Sequence, residues 1–137
     1  MLPSSHSELV SESARIIMKQ GYIYILSNEN RTTLYIGVTN NLKRRILEHK
    51  SGYGSIFTER YNLHDLLYYE EIMGMQNAIN REKQLKNWHK DWKWNLIKEE
   101  NQELKDIAAD WFSKEDIEST KQMLKQVQHD SKKNRQC

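Results

Sequence analysis

Cysteine is almost absent from this chain of 137 residues, and so are long apolar runs. The one cysteine is Cys137, which excludes a disulfide framework and a thiolate metal cluster. No run reaches the roughly 18 apolar residues of a membrane helix, and residues 1–20 lack the apolar block of a secretory signal. We therefore expect one non-membrane domain with tails, in the reducing environment of the cytoplasm.

An excess of charge of one sign is also missing, because the formal net charge is only +2. Composition alone therefore does not demand a nucleic-acid partner, and a solvated surface explains the 29% of charged residues. Cations nevertheless dominate residues 43–50 and 81–98, whereas acidic residues dominate 99–110. This distribution predicts two differently charged surfaces, one of them able to follow a phosphate backbone; a solvated helix face is an equal alternative.

Short apolar runs indicate the fold. Tyrosine-rich runs at 21–27 and 34–38 predict a hairpin, and 66–72 predicts a third strand. Helical spacing of apolar residues predicts helices starting near Leu42, near Met75 and near Trp92. We therefore predict an α+β fold, in which helices pack against a small three-stranded antiparallel sheet.

This unit is predicted to occupy residues 20–112. Residues 1–19 form an N-terminal tail that shows no convincing sequence pattern and is expected to be poorly ordered. Residues 113–137 form a C-terminal tail, expected to be partly helical through about residue 128. Neither tail carries a chemical motif.

The two tails share one unusual relation. With a suitable choice of codons, the opposite strand of the DNA for residues 124–129 encodes a peptide almost identical to residues 6–11. We hypothesise that both tails are translated from an inverted repeat and that Met18 was an earlier start; chance similarity is the alternative. A nucleotide sequence whose flanks are not inverse complements would remove the hypothesis.

Five side chains in the central unit suggest chemistry. Tyr24 and Tyr35 are predicted to point to one face of the hairpin. Arg45 and His49 are four residues apart and therefore share the border of a helical apolar stripe. Glu82 falls inside another apolar stripe, where an unpaired carboxylate is costly and favours a metal ion or a cation.

Each of these residues also has an ordinary structural explanation. Tyrosines are common strand residues, Arg45 alone is typical of a solvated cation, and His49 alone of a partly buried histidine. Glu82 is suitably spaced for a surface ion pair with Lys86. Only the joint order and spacing of the five residues favour a catalytic site.

That order resembles the GIY-YIG nucleases, over about residues 21–111. Tyr22-Ile23-Tyr24 stands where the family has its first triplet, with Tyr22 in place of glycine, and Tyr35-Ile36-Gly37 matches the second triplet. Arg45, His49 and Glu82 match the family's arginine, its following histidine or tyrosine, and its glutamate. The similarity is greatest to small bacterial members related to the nuclease domain of excision-repair proteins.

The resemblance implies a metal-dependent endonuclease. Tyr35 would help to deprotonate water, or His49 would share that role, and Arg45 would stabilise the phosphoryl charge. Tyr24 and His49 would hydrogen-bond around the reacting groups, and Glu82 would hold one Mg²⁺ or Mn²⁺. The family's late asparagine is either Asn95 or Asn101, of which Asn101 is preferred.

The expected partner is DNA that is branched, single-stranded or damaged, recognised by structure and not by sequence, with a role in repair or recombination. A protein partner could supply further specificity. The alternatives are a catalytically weak nucleic-acid-binding module of the same fold and a protein-interaction domain. Trp88, Trp92 and Trp94 are expected to divide between core and surface, two of them in the core. The residues expected to contact nucleic acid are Lys43, Arg44, Lys50, Lys86, Lys90, Lys93 and Asn101.

Overall fold

The computed structural model describes residues 19–135, with side chains through residue 128. The predicted N-terminal tail, the early peptide of the repeat hypothesis and Cys137 lie outside these residues. The elements, in chain order, are β1 (Gln20–Ser27), β2 (Leu34–Thr39), α1 (Leu42–Lys50), α2 (Ile56–Arg60), β3 (Asp65–Met73), α3 (Met75–Lys86), α4 (Lys90–Glu100) and α5 (Lys114–Arg135).

The three strands form one antiparallel sheet in the order β2-β1-β3. The sheet and its packed helices confirm the predicted α+β fold. The central strand is β1, whose residues from Ile23 to Ser27 are buried, as expected for a strand covered on both faces. A register shift between Ile25 and Leu26 interrupts the pairing of β1 with β3.

Two hydrophobic clusters cover the two faces of the sheet. On one face, Ile23 and Ile25 pack with Leu85 of α3 and Ile97 of α4. On the other face, the buried residues come from β1, α1, the segment before β3, β3 itself and the segment after α4: Tyr24, Leu26, Leu42, Ile46, Leu63, Leu66 and Ala108. Alternating side chains of β1 therefore feed different cores, and Tyr24 belongs to the face that α1 covers.

The predicted division of the tryptophans is confirmed. Trp88 and Trp94 pack against the first cluster, whereas Trp92 is 59% exposed. The guanidinium of Arg81 lies 5.3 Å from the ring centroid of Trp88 and also forms an ion pair with Glu70. These tryptophans therefore brace α3 and α4 against the sheet.

The segment after α4 is tied to the sheet by Asp106. Its carboxylate accepts hydrogen bonds from the backbone N–H of Leu66 at 2.9 Å and of Ala108 at 3.1 Å. It also lies 2.6 Å from the Nζ of Lys50, and both side chains are less than one fifth exposed. One carboxylate thus joins α1, β3 and the chain that follows α4.

The C-terminal helix α5 packs against α1. The hydroxyl of Ser51, the residue that ends α1, donates to the carbonyl oxygen of Ile117 at 3.4 Å. Ser113 begins α5 by accepting a hydrogen bond from the backbone N–H of Asp116 at 3.0 Å. The boundary placed at residue 112 stays a prediction.

Candidate active site

The two predicted tyrosines project from the same face of the sheet. Tyr24 pairs with Gly37 and Tyr35 pairs with Leu26, so the two tyrosines are diagonal neighbours and not direct partners. Their ring centroids are 6.3 Å apart. The phenol of Tyr24 lies over Gly37, where a Cβ atom would overlap the ring. Glycine at position 37 therefore gives Tyr24 the room to cross the hairpin.

Helix α1 brings Arg45 and His49 to these tyrosines. Asn41 caps the helix by accepting a hydrogen bond from Arg44 N, and the apolar face of the helix is buried on the sheet. His49 Nε2 lies 2.9 Å from the Tyr24 hydroxyl, to which Arg45 Nε donates at 3.3 Å. The ring of His49 also lies 5.8 Å from that of Tyr35, centroid to centroid. Four of the predicted catalytic side chains therefore converge.

The guanidinium of Arg45 is held on several sides. Besides Tyr24, it donates to the carbonyl oxygen of Gly54 at 2.6 Å and to Glu48 Oε1 at 3.1 Å. Burial lowers the pKa of Arg45, but its hydrogen bonds to Tyr24 and Glu48 outweigh burial and the net shift is upward. A guanidinium fixed in this way stays charged and presents its remaining N–H groups in a set orientation.

His49 has a second partner that the sequence did not reveal. Its Nδ1 atom lies 3.1 Å from the hydroxyl of Thr58, which is 1% exposed. Thr58 belongs to α2, a short helix that was not predicted and that Ser55 caps by accepting from Thr58 N. Ser55, a residue type that commonly caps helices, was the signal in the sequence that could have indicated this helix. Helix α2 therefore contacts His49 through the ring nitrogen that does not face Tyr24.

Burial keeps both His49 and Tyr24 electrically neutral. Burial, with the charges of Arg45 and His64, lowers the pKa of His49 to about 3. Burial raises the pKa of Tyr24 to about 12, although the hydrogen bond from Arg45 opposes the shift. At neutral pH the site therefore holds a phenol beside a neutral imidazole, and only Arg45 of the three carries a charge.

A neutral imidazole permits two hydrogen-bonding patterns. In one, the Tyr24 hydroxyl donates to Nε2 and Nδ1–H donates to Thr58, whose hydroxyl donates to Ser55 O. In the other, Thr58 donates to Nδ1 and Nε2–H donates to Tyr24, so the phenolic proton is released for another acceptor. The second pattern connects the threonine to any group that accepts from Tyr24.

Glu82 lies on the helix that covers the other face of the sheet. Its side chain is 15% exposed, and its carboxylate is 3.2 Å from the Nζ of Lys86. Lys86 also lines an open groove of about 290 Å³ together with Tyr35 and Phe57. The Glu82–Lys86 pair therefore lies near the edge strand β2, beside the groove and outside the cluster of Tyr24 and His49.

Glu82 fits a metal ion only as a single carboxylate ligand. Among the side chains that the structure describes, no three His, Cys, Asp or Glu residues come together as a ligand set. Mg²⁺ commonly keeps several water ligands and binds through one or two carboxylates plus substrate phosphates. A largely buried carboxylate whose partner is a half-exposed lysine suits such an ion, which would displace the ammonium of Lys86.

The residues predicted to contact nucleic acid divide into two groups. Lys43, Arg44, Lys86 and Lys90 are exposed, and Lys93 is partly exposed beside the groove. Lys50 is instead paired with Asp106, and the amide of Asn101 is bonded to the backbone of Leu67 and Lys105. These two contacts are structural, so Lys50 and Asn101 do not enter the proposed nucleic-acid surface. Asn95 is exposed on α4.

The fold and the convergence of these side chains define a small nuclease-type catalytic domain. The family model described as the GIY-YIG catalytic domain matches residues 20–95, which is more than half of the chain. The chain therefore belongs to the GIY-YIG family, whose substrates are nucleic acids.

Several small relatives share most of their length with this chain. A UPF0213 protein of Syntrophus aciditrophicus is 35% identical over 83 residues, covering 60% of this chain and 94% of the relative. The UPF0213 proteins of Clostridium perfringens and Oceanobacillus iheyensis are 37% and 32% identical, each covering at least 60% of this chain and 92% and 98% of the relative. No solved structure matches significantly. Within the described residues, no helix combines the length and apolar character needed to cross a membrane.

Proposed function

We propose that this protein is a divalent-metal-dependent endonuclease that hydrolyses phosphodiester bonds in DNA, in repair or recombination. The observation that supports the proposal is the convergence of Tyr24, Tyr35, Arg45 and His49, with Arg45 and His49 both bonded to the Tyr24 hydroxyl. A fixed cation beside tyrosine hydroxyls is suited to a phosphate that gains charge in the transition state.

Each side chain has a proposed role. Arg45 directs its remaining N–H groups at the non-bridging phosphate oxygens. Tyr24 is buried with a pKa of about 12, so it orients Arg45 and His49 as an uncharged phenol and is not itself the base. Tyr35 is partly exposed beside the groove and is the phenol that water can reach. Tyr35 therefore helps to deprotonate the attacking water.

Glu82 is the proposed metal ligand. Its carboxylate would hold one Mg²⁺ or Mn²⁺ once Lys86 releases it. Such an ion would supply positive charge for the leaving alkoxide. Lys43, Arg44 and Lys90 are exposed cations that suit contacts to phosphates, and phosphate contacts carry no base sequence. We therefore propose recognition of DNA structure and not of sequence, with a protein partner free to add specificity.

The test is cleavage of labelled single-stranded, duplex and branched DNA, with and without Mn²⁺. Arg45→Ala is expected to lower turnover by about 100-fold or more while DNA affinity changes little. The matched control is Arg44→Ala, which removes the neighbouring exposed cation of the same helix and should change turnover only a few-fold. Equal activity in the wild type and in both variants would trace the cleavage to a contaminant and refute the proposal.

A second candidate function is a nucleic-acid-binding module with negligible cleavage. The observation in its favour is that Lys86 already neutralises Glu82 at 3.2 Å. Titration of Mn²⁺ followed by electron paramagnetic resonance separates the two candidates. A nuclease should bind the ion and lose that binding in Glu82→Gln, whereas a binding module should show salt-dependent DNA affinity and no specific Mn²⁺ site.

A further inference from the structure

Helix α2 exposes apolar side chains to the solvent and buries a polar one, which is the reverse of what a purely structural helix does. Its buried residue is Thr58, while Ile56 is 84% exposed and Phe57 is 44% exposed. Tyr61, which ends the helix, is 47% exposed. A five-residue helix that buries a hydroxyl and, together with its C-terminal cap, displays three large apolar groups indicates a surface kept for contact.

The exposed rings of Phe57 and Tyr61 follow on from Tyr35, a residue of the candidate active site. The ring of Tyr35 is stacked on that of Phe57, with centroids 6.0 Å apart and planes 27° apart. The ring of Tyr61 follows, 4.8 Å from that of Phe57. Because Thr58 holds α2 against His49, the two outer rings are fixed relative to the site. The rings of Phe57 and Tyr61 therefore extend outward from Tyr35, the proposed base.

Lysine side chains flank Phe57. Its groove of about 290 Å³ is also lined by Lys86, which is paired with Glu82, and by Lys93, whose Nζ donates to the carbonyl oxygen of Lys86. The acidic residue of α2, Glu59, lies away from this groove, 3.6 Å from His64 and beside Gly52. Aromatic rings flanked by lysines form the combination that binds a base by stacking and its phosphates by charge.

From this arrangement we propose that Phe57 and Tyr61 stack an unpaired base of the nucleotide next to the scissile phosphate. The inference rests on the proposed function, and it narrows the substrate to DNA with a single-stranded segment or unpaired flank at the cleavage point. A fully paired duplex keeps its bases stacked on each other and offers no free face to Phe57. A groove of this size, at the small end of ligand sites, holds one base.

The test measures binding of the intact chain without divalent metal, so it does not depend on cleavage. Two probes are compared by fluorescence anisotropy: a labelled thymidine 12-mer, and a 12-mer with the same phosphates but abasic at every position. The wild type is expected to prefer the strand with bases by roughly 5- to 100-fold. Phe57→Leu keeps apolar volume but removes the stacking face, and should lose most of this preference without weakening abasic binding.

The matched control is Ile56→Ala, which shortens a more exposed apolar side chain of the same helix but removes no ring, and should keep the preference for bases. Tyr61→Leu is the second test variant, and thermal unfolding verifies that each variant is folded. Equal affinity of the wild type for the two strands would overturn the inference. So would a Phe57→Leu loss that is as large on a blunt duplex, because a protein-docking or general packing role would produce it.

The result separates this inference from the proposed function. Loss of cleavage in Arg45→Ala together with equal binding of both strands would leave the nuclease in place and remove the stacking site. A preference for bases that depends on Phe57, in a protein that cleaves no DNA, would support the stacking site and count against the nuclease.

Discussion

His49 is 1% exposed between a phenol and a hydroxyl, surroundings that oppose its charged form. Its pKa is lowered to about 3, from 6.5 in water. Below pH 6.5 the unfolded chain takes up a proton on this histidine while the folded chain does not. The contribution of His49 to stability is therefore complete above pH 6.5 and declines as the pH falls toward 3.

We expect His49→Gln to flatten the pH dependence of the free energy of unfolding. Well below pH 6.5, where the unfolded histidine is almost fully protonated, the wild type should lose up to about 1.4 kcal/mol per pH unit more than the variant. Urea unfolding at several pH values measures the difference. Gln102→Ala is the control, because Gln102 is solvent-exposed and carries no titrating group, and its replacement should leave the slope unchanged. Parallel curves for the wild type and His49→Gln would contradict the pKa shift.

Side chains that meet in the site were identified from the sequence only where their order along the chain matches that of the family's residues. Tyr24, Tyr35, Arg45 and His49 were found because their order matches the two triplets and the helix that follows them. Thr58 was missed, since a threonine nine residues after a histidine has no distinctive spacing. Its role depends on how the loop between α1 and α2 folds back, which local sequence does not fix.

Among the elements, the sheet was predicted well and α2 was not. Strands form buried alternating runs, and β1, β2 and β3 agree with the predicted ranges to within a residue at each end. Helix α2 shows no helical apolar pattern toward the core, because its large apolar residues are exposed. The diagonal placement of Tyr24 and Tyr35 also required the register, which the polar loop between β1 and β2 determines.

We expect Thr58→Val to loosen α2 from α1. The substitution preserves shape but removes the hydroxyl that meets His49 Nδ1, leaving a buried ring nitrogen without a partner at a cost of about 1–3 kcal/mol. Urea unfolding measures the loss, and cleavage should fall with it. Thr33→Val, at a partly exposed site in the loop before β2, is the control and should change stability by less than about 0.5 kcal/mol. Equal effects of the two substitutions would show that Thr58 does not anchor the helix.

At the scale of the whole molecule, the two cores differ in how the sequence reveals them. The core beneath α3 and α4 uses apolar residues at the helical spacing from which helices near Met75 and Trp92 were predicted. The core beneath α1 is completed by Ala108, Trp111 and Phe112, which follow the last predicted helix of the domain. Their placement depends on the Asp106 ion pair, a contact 56 residues apart in sequence that no local pattern indicates.

We expect Asp106→Ala to destabilise the protein by about 3 kcal/mol, since it leaves the ammonium of Lys50 buried without a counter-ion. Adding Lys50→Met should recover part of the loss. Glu103→Ala is the matched control, because its pair with Lys105 is more than two-thirds exposed and should contribute less than about 1 kcal/mol. Thermal and urea unfolding measure all three. A cost for Asp106→Ala no greater than that of the control would refute the role of this carboxylate.

Asp106 also decides how far a recombinant fragment can be shortened. The family match ends at residue 95, yet a fragment trimmed there would lack the carboxylate that joins α1 to β3 and the aromatic residues that cover one side of the sheet. Limited proteolysis of the intact protein should therefore leave a resistant species that extends beyond Phe112, and shorter fragments should be degraded to completion.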